Sequence, residues 1–317
     1  MKISIAMATY NGASYIEEQL ESFARQTRPP DELVVFDDRS EDETLLLLDD
    51  FRQEAEFAVY IRENEQRLGV RDNVSRALEA CAGDYIFLAD QDDVWFPEKI
   101  ERMVDVAEGK RGMGLVVCDA QYANSDLSEL GETKLAYVRR VKREQSADHN
   151  TGCCTMISRA FAELALPIPS VKAYHDRWLH ELARCMGVRR VIEEVLQVYR
   201  RHGANESKGV MADAPRAGRI RLLINMVTAD TARECERRER SLEAIAERAP
   251  KGVGLLGEGS VEECLRYVEE ELQAVRVRRE LLGKPRVARP VSALRAWRRG
   301  DYGYFSGWRS LAKDCLV

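Results

Sequence analysis

The chain has 317 residues, 45% of them hydrophobic and 32% charged, with 54 acidic against 48 basic side chains and a formal charge of -6. That length holds one large domain or two smaller ones, and the mixture excludes collagen-like and wholly disordered classes. The acidic balance argues against general nucleic-acid binding, which needs a basic face to neutralise phosphates.

The opening MKISIAMATY has one lysine and a short apolar run broken by Ser4, so it lacks a signal-peptide profile. No apolar stretch approaches the roughly 20 residues that span a bilayer, and the chain is expected to be cytoplasmic, at most attached to a membrane surface. Ile3 to Ala8 is a β-prone run ending in Tyr10-Asn11-Gly12, after which Tyr15, Ile16, Leu20 and Phe23 recur at helical spacing. Pro29-Pro30 stops that helix, and Glu32 to Phe36 supplies a second strand, followed by Asp37-Asp38-Arg39-Ser40 and a helix containing Leu45 to Leu48. A strand at Phe57 to Arg62, a helix from about Val70 to Ala82 and a strand at Tyr85 to Ala89 complete a βαβα alternation, which predicts a parallel sheet covered by helices.

Gly114 to Cys118 reads as a fifth strand, followed by a polar connection to Asn150 long enough for a lid or an acceptor-facing loop. Thr151 to Ile157 reads as strand, Tyr174 to Met186 as helix, and Val188 to Tyr199 as strand leading into Arg200-Arg201-His202-Gly203. From about Ala214, Leu222, Leu223, Met226, Leu242, Ile245, Leu265, Val268, Leu272 and Val275 sit among dense Arg and Glu at helical intervals. The predicted division is an α/β catalytic domain over 1–210 and a helical region over 211–317. The eight cysteines are scattered without a CxxC pair and read as reduced structural thiols. Adjacent Cys153 and Cys154 lack the spacing of a zinc knuckle.

Nucleotide sites in such sheets lie beyond the carboxyl ends of the strands, where Asp37-Asp38 and Asp90-Gln91-Asp92-Asp93 fall. No glycine-rich phosphate loop follows the first strand. Asp90, Asp92 and Asp93 cannot all be comfortable as anions at a buried strand end without a positive partner. A divalent cation, Mg²⁺ or Mn²⁺, completed by substrate phosphates is the natural one. The competing reading makes these aspartates caps of a helix over Pro97 to Val106, a task that occupies one of them.

Ala8-Thr9-Tyr10-Asn11-Gly12, Val35-Phe36-Asp37-Asp38-Arg39-Ser40 with Glu43-Thr44, and Phe87-Leu88-Ala89-Asp90-Gln91-Asp92-Asp93-Val94-Trp95 resemble the motifs of inverting family 2 glycosyltransferases. The resemblance extends through His175-Asp176-Arg177-Trp178 and Tyr199-Arg200-Arg201-His202-Gly203-Ala204-Asn205, covering about residues 1 to 210. It implies the GT-A fold, a Rossmann-like, mostly parallel sheet flanked by helices. The elements DQDDVW, HD and YRxHG look most like the rhamnosyltransferase-like branch. By motif, Asp38 would bind the nucleotide base, Thr9 and Asn11 would lie beside the nucleoside, Asp90 with neighbouring Gln91 would face the ribose, and Arg71 would touch base or phosphate. Asp92 would ligate the metal, Asp93 would support it or bind through water, and His202 would meet diphosphate or metal.

Inversion needs a base for the acceptor hydroxyl and a Lewis acid for the departing diphosphate. The resemblance gives the base role to Asp176, whose alternative is a helix N-cap. His175 is a candidate acceptor contact, and Gly152 and Cys153 line either the sugar pocket or the core. The implied donor is dTDP-L-rhamnose or a UDP-sugar and the acceptor a glycan or lipid-linked glycan. A nucleotidyltransferase and a non-catalytic sugar-nucleotide-binding protein are the competing classes. Basic and aromatic residues from Lys284 to Lys313, including Arg286, Arg289, Arg295, Arg298, Arg299, Arg309, Trp297, Tyr302, Tyr304, Phe305 and Trp308, suit either an anionic membrane surface or packing and a homodimer contact.

Overall fold

The computed structural model describes residues 1–142, 149–170, 175–203, 231–253, 258–305 and 307–316. Strands β1 (Ile3–Thr9), β2 (Glu32–Asp37), β3 (Ala58–Glu63) and β4 (Tyr85–Ala89) pair in parallel in the order β3-β2-β1-β4. Ile5, Met7, Leu33, Val35, Ile86 and Phe87 are completely buried, as expected of strands covered on both faces. Helices α1 (Ile16–Ala24), α2 (Thr44–Glu54) and α3 (Val70–Ala80) make the crossovers.

Beyond β4 the sheet becomes mixed. In chain order come β5 (Val94–Trp95), α4 (Lys99–Glu108), β6 (Leu115–Ala123), β7 (Glu129–Thr133), α5 (Lys134–Lys142), β8 (Thr155–Ser158), α6 (Arg159–Ala165), α7 (His175–Cys185) and β9 (Arg189–Arg200). The order continues β4-β8-β6-β9-β5, with β8 antiparallel to β4 and β6, β9 parallel to β6, and β7 hairpinned onto β6. Three expectations change here. The fifth predicted strand runs on to Ala123, and the expected open connection holds β7 and α5, with 143–148 outside the described residues. Its polar residues read as loop but are satisfied inside: Asp119, 4% exposed, accepts the Ala120 and Leu135 N–H groups at 2.8 Å each, tying β6 to the start of α5. The strand expected from Thr151 opens instead as a 3-10 turn, Gly152–Cys154.

Contacts divide the chain into one unit of Met1–Ala204 with Lys251–Gly257 and another of Asn205–Pro250 with Glu258–Val317. The predicted boundary at 210/211 lies outside the described residues, as do Leu222, Leu223 and Met226. The second unit holds α8 (Thr231–Arg248), α9 (Glu258–Leu282), α10 (Arg289–Arg298) and α11 (Trp308–Leu316). Arg238 pairs with Glu271 at 2.6 Å, and buried Asp314 accepts from Arg278 at 2.8 Å and from the Tyr302 hydroxyl at 2.9 Å. Tyr302 thus belongs to that unit's core with Leu281, Ala293 and Ala296, while the Tyr304 hydroxyl donates to Glu270 at 2.8 Å. The side chains of Arg286, Trp308 and Arg309 lie outside the described residues. All eight cysteines are free thiols, and no described helix is long and apolar enough to cross a membrane.

Candidate active site

The ends of β1, β2 and β4 carry loops that brace one another. Thr9 Oγ1 donates to Asp37 Oδ2 at 2.7 Å, and Asp37 also accepts from the Ser40 N–H and hydroxyl. Asn11, in the left-handed region at φ 47°, accepts the Glu41 N–H and donates its own N–H to Ser40 Oγ, 2.8 Å each. Gln91 closes on the Tyr10 backbone in both directions, at 2.9 and 3.0 Å. A Cβ at Gly12 would land on the Gln91 amide, so this clamp needs glycine there. Asp38 is buried and accepts from Asn64 Nδ2, the Leu68 N–H and the Gly69 N–H at 3.1, 2.7 and 2.8 Å, which holds the turn into α3. Arg71 pairs with Asp72 at 2.7 Å and donates to the Ser170 carbonyl at 3.1 Å. Arg67 places its guanidinium 3.8 Å over the Tyr10 ring.

The carboxylates after β4 do gather. Donor atoms of Asp90, Asp93 and Cys153 lie within 4.8 Å of one another. Burial first, then the charge of Asp92, pushes Asp90 well above the usual carboxylate range, with Asp176 adding to the push and Cys153 and Lys134 opposing it. Asp93 is driven up by burial and by the charges of Asp92 and Asp90. Both Asp93 oxygens accept protein hydrogen bonds, Oδ2 from Gln197 Nε2 at 2.8 Å and Oδ1 from the Arg200 N–H at 3.1 Å, the geometry of a supporting group. Asp92 pairs instead with His202, Oδ2 to Nε2 at 2.8 Å, and the imidazole stacks on Tyr15 with ring centroids 4.4 Å apart. A carboxylate oxygen and an imidazole nitrogen side by side, beside further acids, form a donor set that fits Mn²⁺ and its neighbours. Asp176 lies in the first turn of α7, accepts the Arg177 N–H at 2.6 Å, and is near enough for its charge to act on Asp90.

Three cations to which the sequence assigns no role lie among these acids. Lys99 is completely buried, with Nζ donating to the Cys153 carbonyl at 2.8 Å and to Gln197 Oε1, and lying 3.6 Å over the Trp95 ring. Gln197 passes that orientation on to Asp93. A signal was present: Lys99 occupies the buried face of α4 shared by Ile100, Met103, Val104 and Ala107, where a lysine needs a partner. Lys134, at the start of α5, sits 3.5 Å over the Tyr199 ring. Burial works against its charge, but Cys153, Tyr122, Cys154 and Asp93 outweigh that and hold it above the usual lysine range. Arg200 donates from Nε to the Asp92 carbonyl at 2.9 Å and from Nη1 to the Ser125 carbonyl at 2.7 Å, pinning the acidic loop to the end of β9.

Behind the acids lie buried histidines. Arg189 Nε donates to His180 Nδ1 at 3.0 Å, so His180 must carry its proton on Nε2 and donate to Thr155 Oγ1 at 2.9 Å, which donates in turn to the Thr151 carbonyl at 2.7 Å. A second proton would break the Arg189 bond. Burial lowers His180 well below its ordinary value and His149 to about 4, and also lowers His175, which lies against Gly152 where a Cβ would meet Nε2 at 2.6 Å. A histidine whose folded pKa is depressed contributes stability that is present above the unfolded pKa and lost as pH falls below it. For His180, which stays neutral in the folded chain, this loss should be about 1.4 kcal/mol between about pH 7.5 and about pH 5.5. Comparing urea unfolding of the wild type and His180→Gln at both pH values isolates this contribution, because the raised aspartates are common to both. The variant, less stable throughout, should lose about 1.4 kcal/mol less over that interval; equal losses would refute a neutral buried His180.

A family model described as Glycosyl transferase family 2 matches residues 4–164. An uncharacterised glycosyltransferase of Nostoc is 28% identical over 217 residues, 65% of this chain and 66% of that protein. The dTDP-rhamnosyl transferase RfbG of Shigella flexneri is 34% identical over 103 residues, 31% of this chain and 36% of that protein. The matched stretches therefore leave much of either relative uncovered. Among solved structures, S. aureus TarS 1–349 in complex with UDP aligns with a TM-score of 0.54 and 16% identity, covering 98% of this chain and 90% of that one.

Proposed function

The chain belongs to glycosyl transferase family 2 and has a GT-A-like fold, and from that premise we propose that it is an inverting glycosyltransferase moving a sugar from a nucleoside diphosphate to a hydroxyl of a growing cell-surface glycan, free or lipid-linked. The observation that carries this reading is the Asp92–His202 pair at 2.8 Å, Asp92 standing in the loop that also holds Asp90 and Asp93, with Asp176 of α7 near enough for its charge to act on Asp90. Asp92 and His202 would hold a divalent cation, Mn²⁺ or Mg²⁺, with Asp93 bracing the loop from behind. When bound, that ion supplies Lewis-acid stabilisation of the charge developing on the diphosphate. Asp176 takes the proton of the acceptor hydroxyl as its oxygen bonds to the anomeric carbon. The bond from that carbon to the diphosphate breaks on the opposite face, and its electron pair leaves with the nucleotide.

The rim formed by Thr9, Asn11, Asp38, Arg71 and Gln91 is proposed to receive the nucleoside, with Asp90 facing its ribose. The donor is proposed to be dTDP-L-rhamnose, a reading supported by the relative named as a dTDP-rhamnosyl transferase; TarS, which holds UDP, keeps UDP-sugars in the test. Incubating the protein with dTDP-rhamnose, UDP-glucose, UDP-GlcNAc and GDP-mannose, with Mn²⁺, should release nucleoside diphosphate from the dTDP donor fastest, and faster with acceptor than without. Pyrophosphate release would indicate a nucleotidyltransferase, and binding without turnover a sugar-nucleotide-binding protein. Preference for a UDP-sugar would keep the transferase and change the donor.

A further inference from the structure

We propose that α10 and the turn before it form a docking surface for an anionic lipid bilayer. Four apolar side chains there stay in water: Val287 is 92% exposed, Val291 60%, Leu294 48% and Trp297 40%. Their spacing follows a helix, and the opposite face of α10 is spent, since Ala293 and Ala296 are buried in the core with Leu281 and Tyr302. Residues 284–299 carry Lys284, Arg286, Arg289, Arg295, Arg298 and Arg299 and no Asp or Glu, in a chain whose net charge is -6. Arg295 and Arg298 are exposed on the same outward face as Val291 and Leu294. Asp301 pairs with Arg299 at 2.9 Å, Arg289 is turned to the Leu282 and Lys284 carbonyls, and exposed Lys284 donates to Ser292 Oγ at 3.0 Å, so Arg295 and Arg298 carry most of the outward charge.

A protein partner would need one shaped acidic surface to meet both the stripe and the arginines. An anionic bilayer offers both chemistries everywhere: headgroups for the guanidinium groups, an acyl boundary for valine and leucine, and an interface that favours tryptophan. This surface shares no residue with the acidic site.

The test is co-sedimentation of the full chain with vesicles of phosphatidylcholine containing about a third phosphatidylglycerol, against phosphatidylcholine alone, at about 0.1 M and about 0.5 M salt. Expected are binding to the anionic vesicles only, loss of binding at high salt, and at least a tenfold loss of affinity in Val291→Glu/Leu294→Glu and in Arg295→Glu/Arg298→Glu. Circular dichroism and nucleotide binding should match the wild type in both variants, since these side chains are exposed. Undiminished binding of the variants, or no binding by the wild type, overturns the proposal. So does a wild type that self-associates without lipid and becomes monomeric in Val291→Glu/Leu294→Glu, because the stripe then serves a second copy of the chain.

Discussion

Asp92→Asn is expected to lower turnover by about a thousandfold while leaving the fold intact. Asparagine keeps the shape and can keep a hydrogen bond to His202, but it removes the anionic oxygen from the pair proposed to hold the cation. Several kcal/mol of charge stabilisation at the departing diphosphate would go with it, which is the scale of that rate loss. The sign of the stability change is the more discriminating part. The charge of Asp92 raises both Asp90 and Asp93, so its removal relieves a like-charge repulsion, and the metal-free variant should melt no lower than the metal-free wild type. Nucleoside diphosphate release and circular dichroism melting in EDTA read the two effects. Variant activity within tenfold of wild type, or full wild-type activity in EDTA, would remove Asp92 from the proposed role.

Asp176→Asn should cut turnover by about 100-fold to about 10,000-fold with donor affinity near normal, as expected when a general base is lost. Asp176 reaches Asp90 through its charge, and among the described residues its hydrogen bond is a local one from the Arg177 N–H, so its replacement leaves the loops around Thr9 and Gln91 untouched. Donor titration by calorimetry and turnover at saturating donor separate the two quantities. A collapse in donor affinity with turnover preserved would place Asp176 on the donor side and leave the base unassigned.

The parallel half of the sheet was legible because each strand from Ile3 to Ala89 is a mainly apolar run, interrupted in β1 by Ser4, and ends in polar residues. The mixed half was harder to read. Asp119 and Gln121 look like loop residues, yet strand pairing and the α5 N–H groups absorb them. In the site, the acids announced themselves by following a buried strand, whereas the lysines did not. Lys134 falls in a polar stretch with the composition of a loop, and Lys99 stands on a helix face whose other members are apolar. Asp37 and Asp38 are adjacent in sequence but serve different loops, Asp37 bracing Thr9 and Ser40 and Asp38 bracing Leu68 and Gly69. Short-range polarity says that such groups need partners; the fold decides which partners they reach.

The clamp between Gln91 and Tyr10 also limits how this chain can diverge. Gly12 has no room for a side chain because the Gln91 amide fills that space, and the amide sits there because both of its ends are bonded to the Tyr10 backbone. A larger residue at 12 is tolerable only if position 91 shortens, and a shorter residue at 91 leaves the Tyr10 peptide groups in need of water. Positions 12 and 91 are thus a single inherited unit that descendants would have to change together, and a swap at either one alone meets a steric penalty or a polar one.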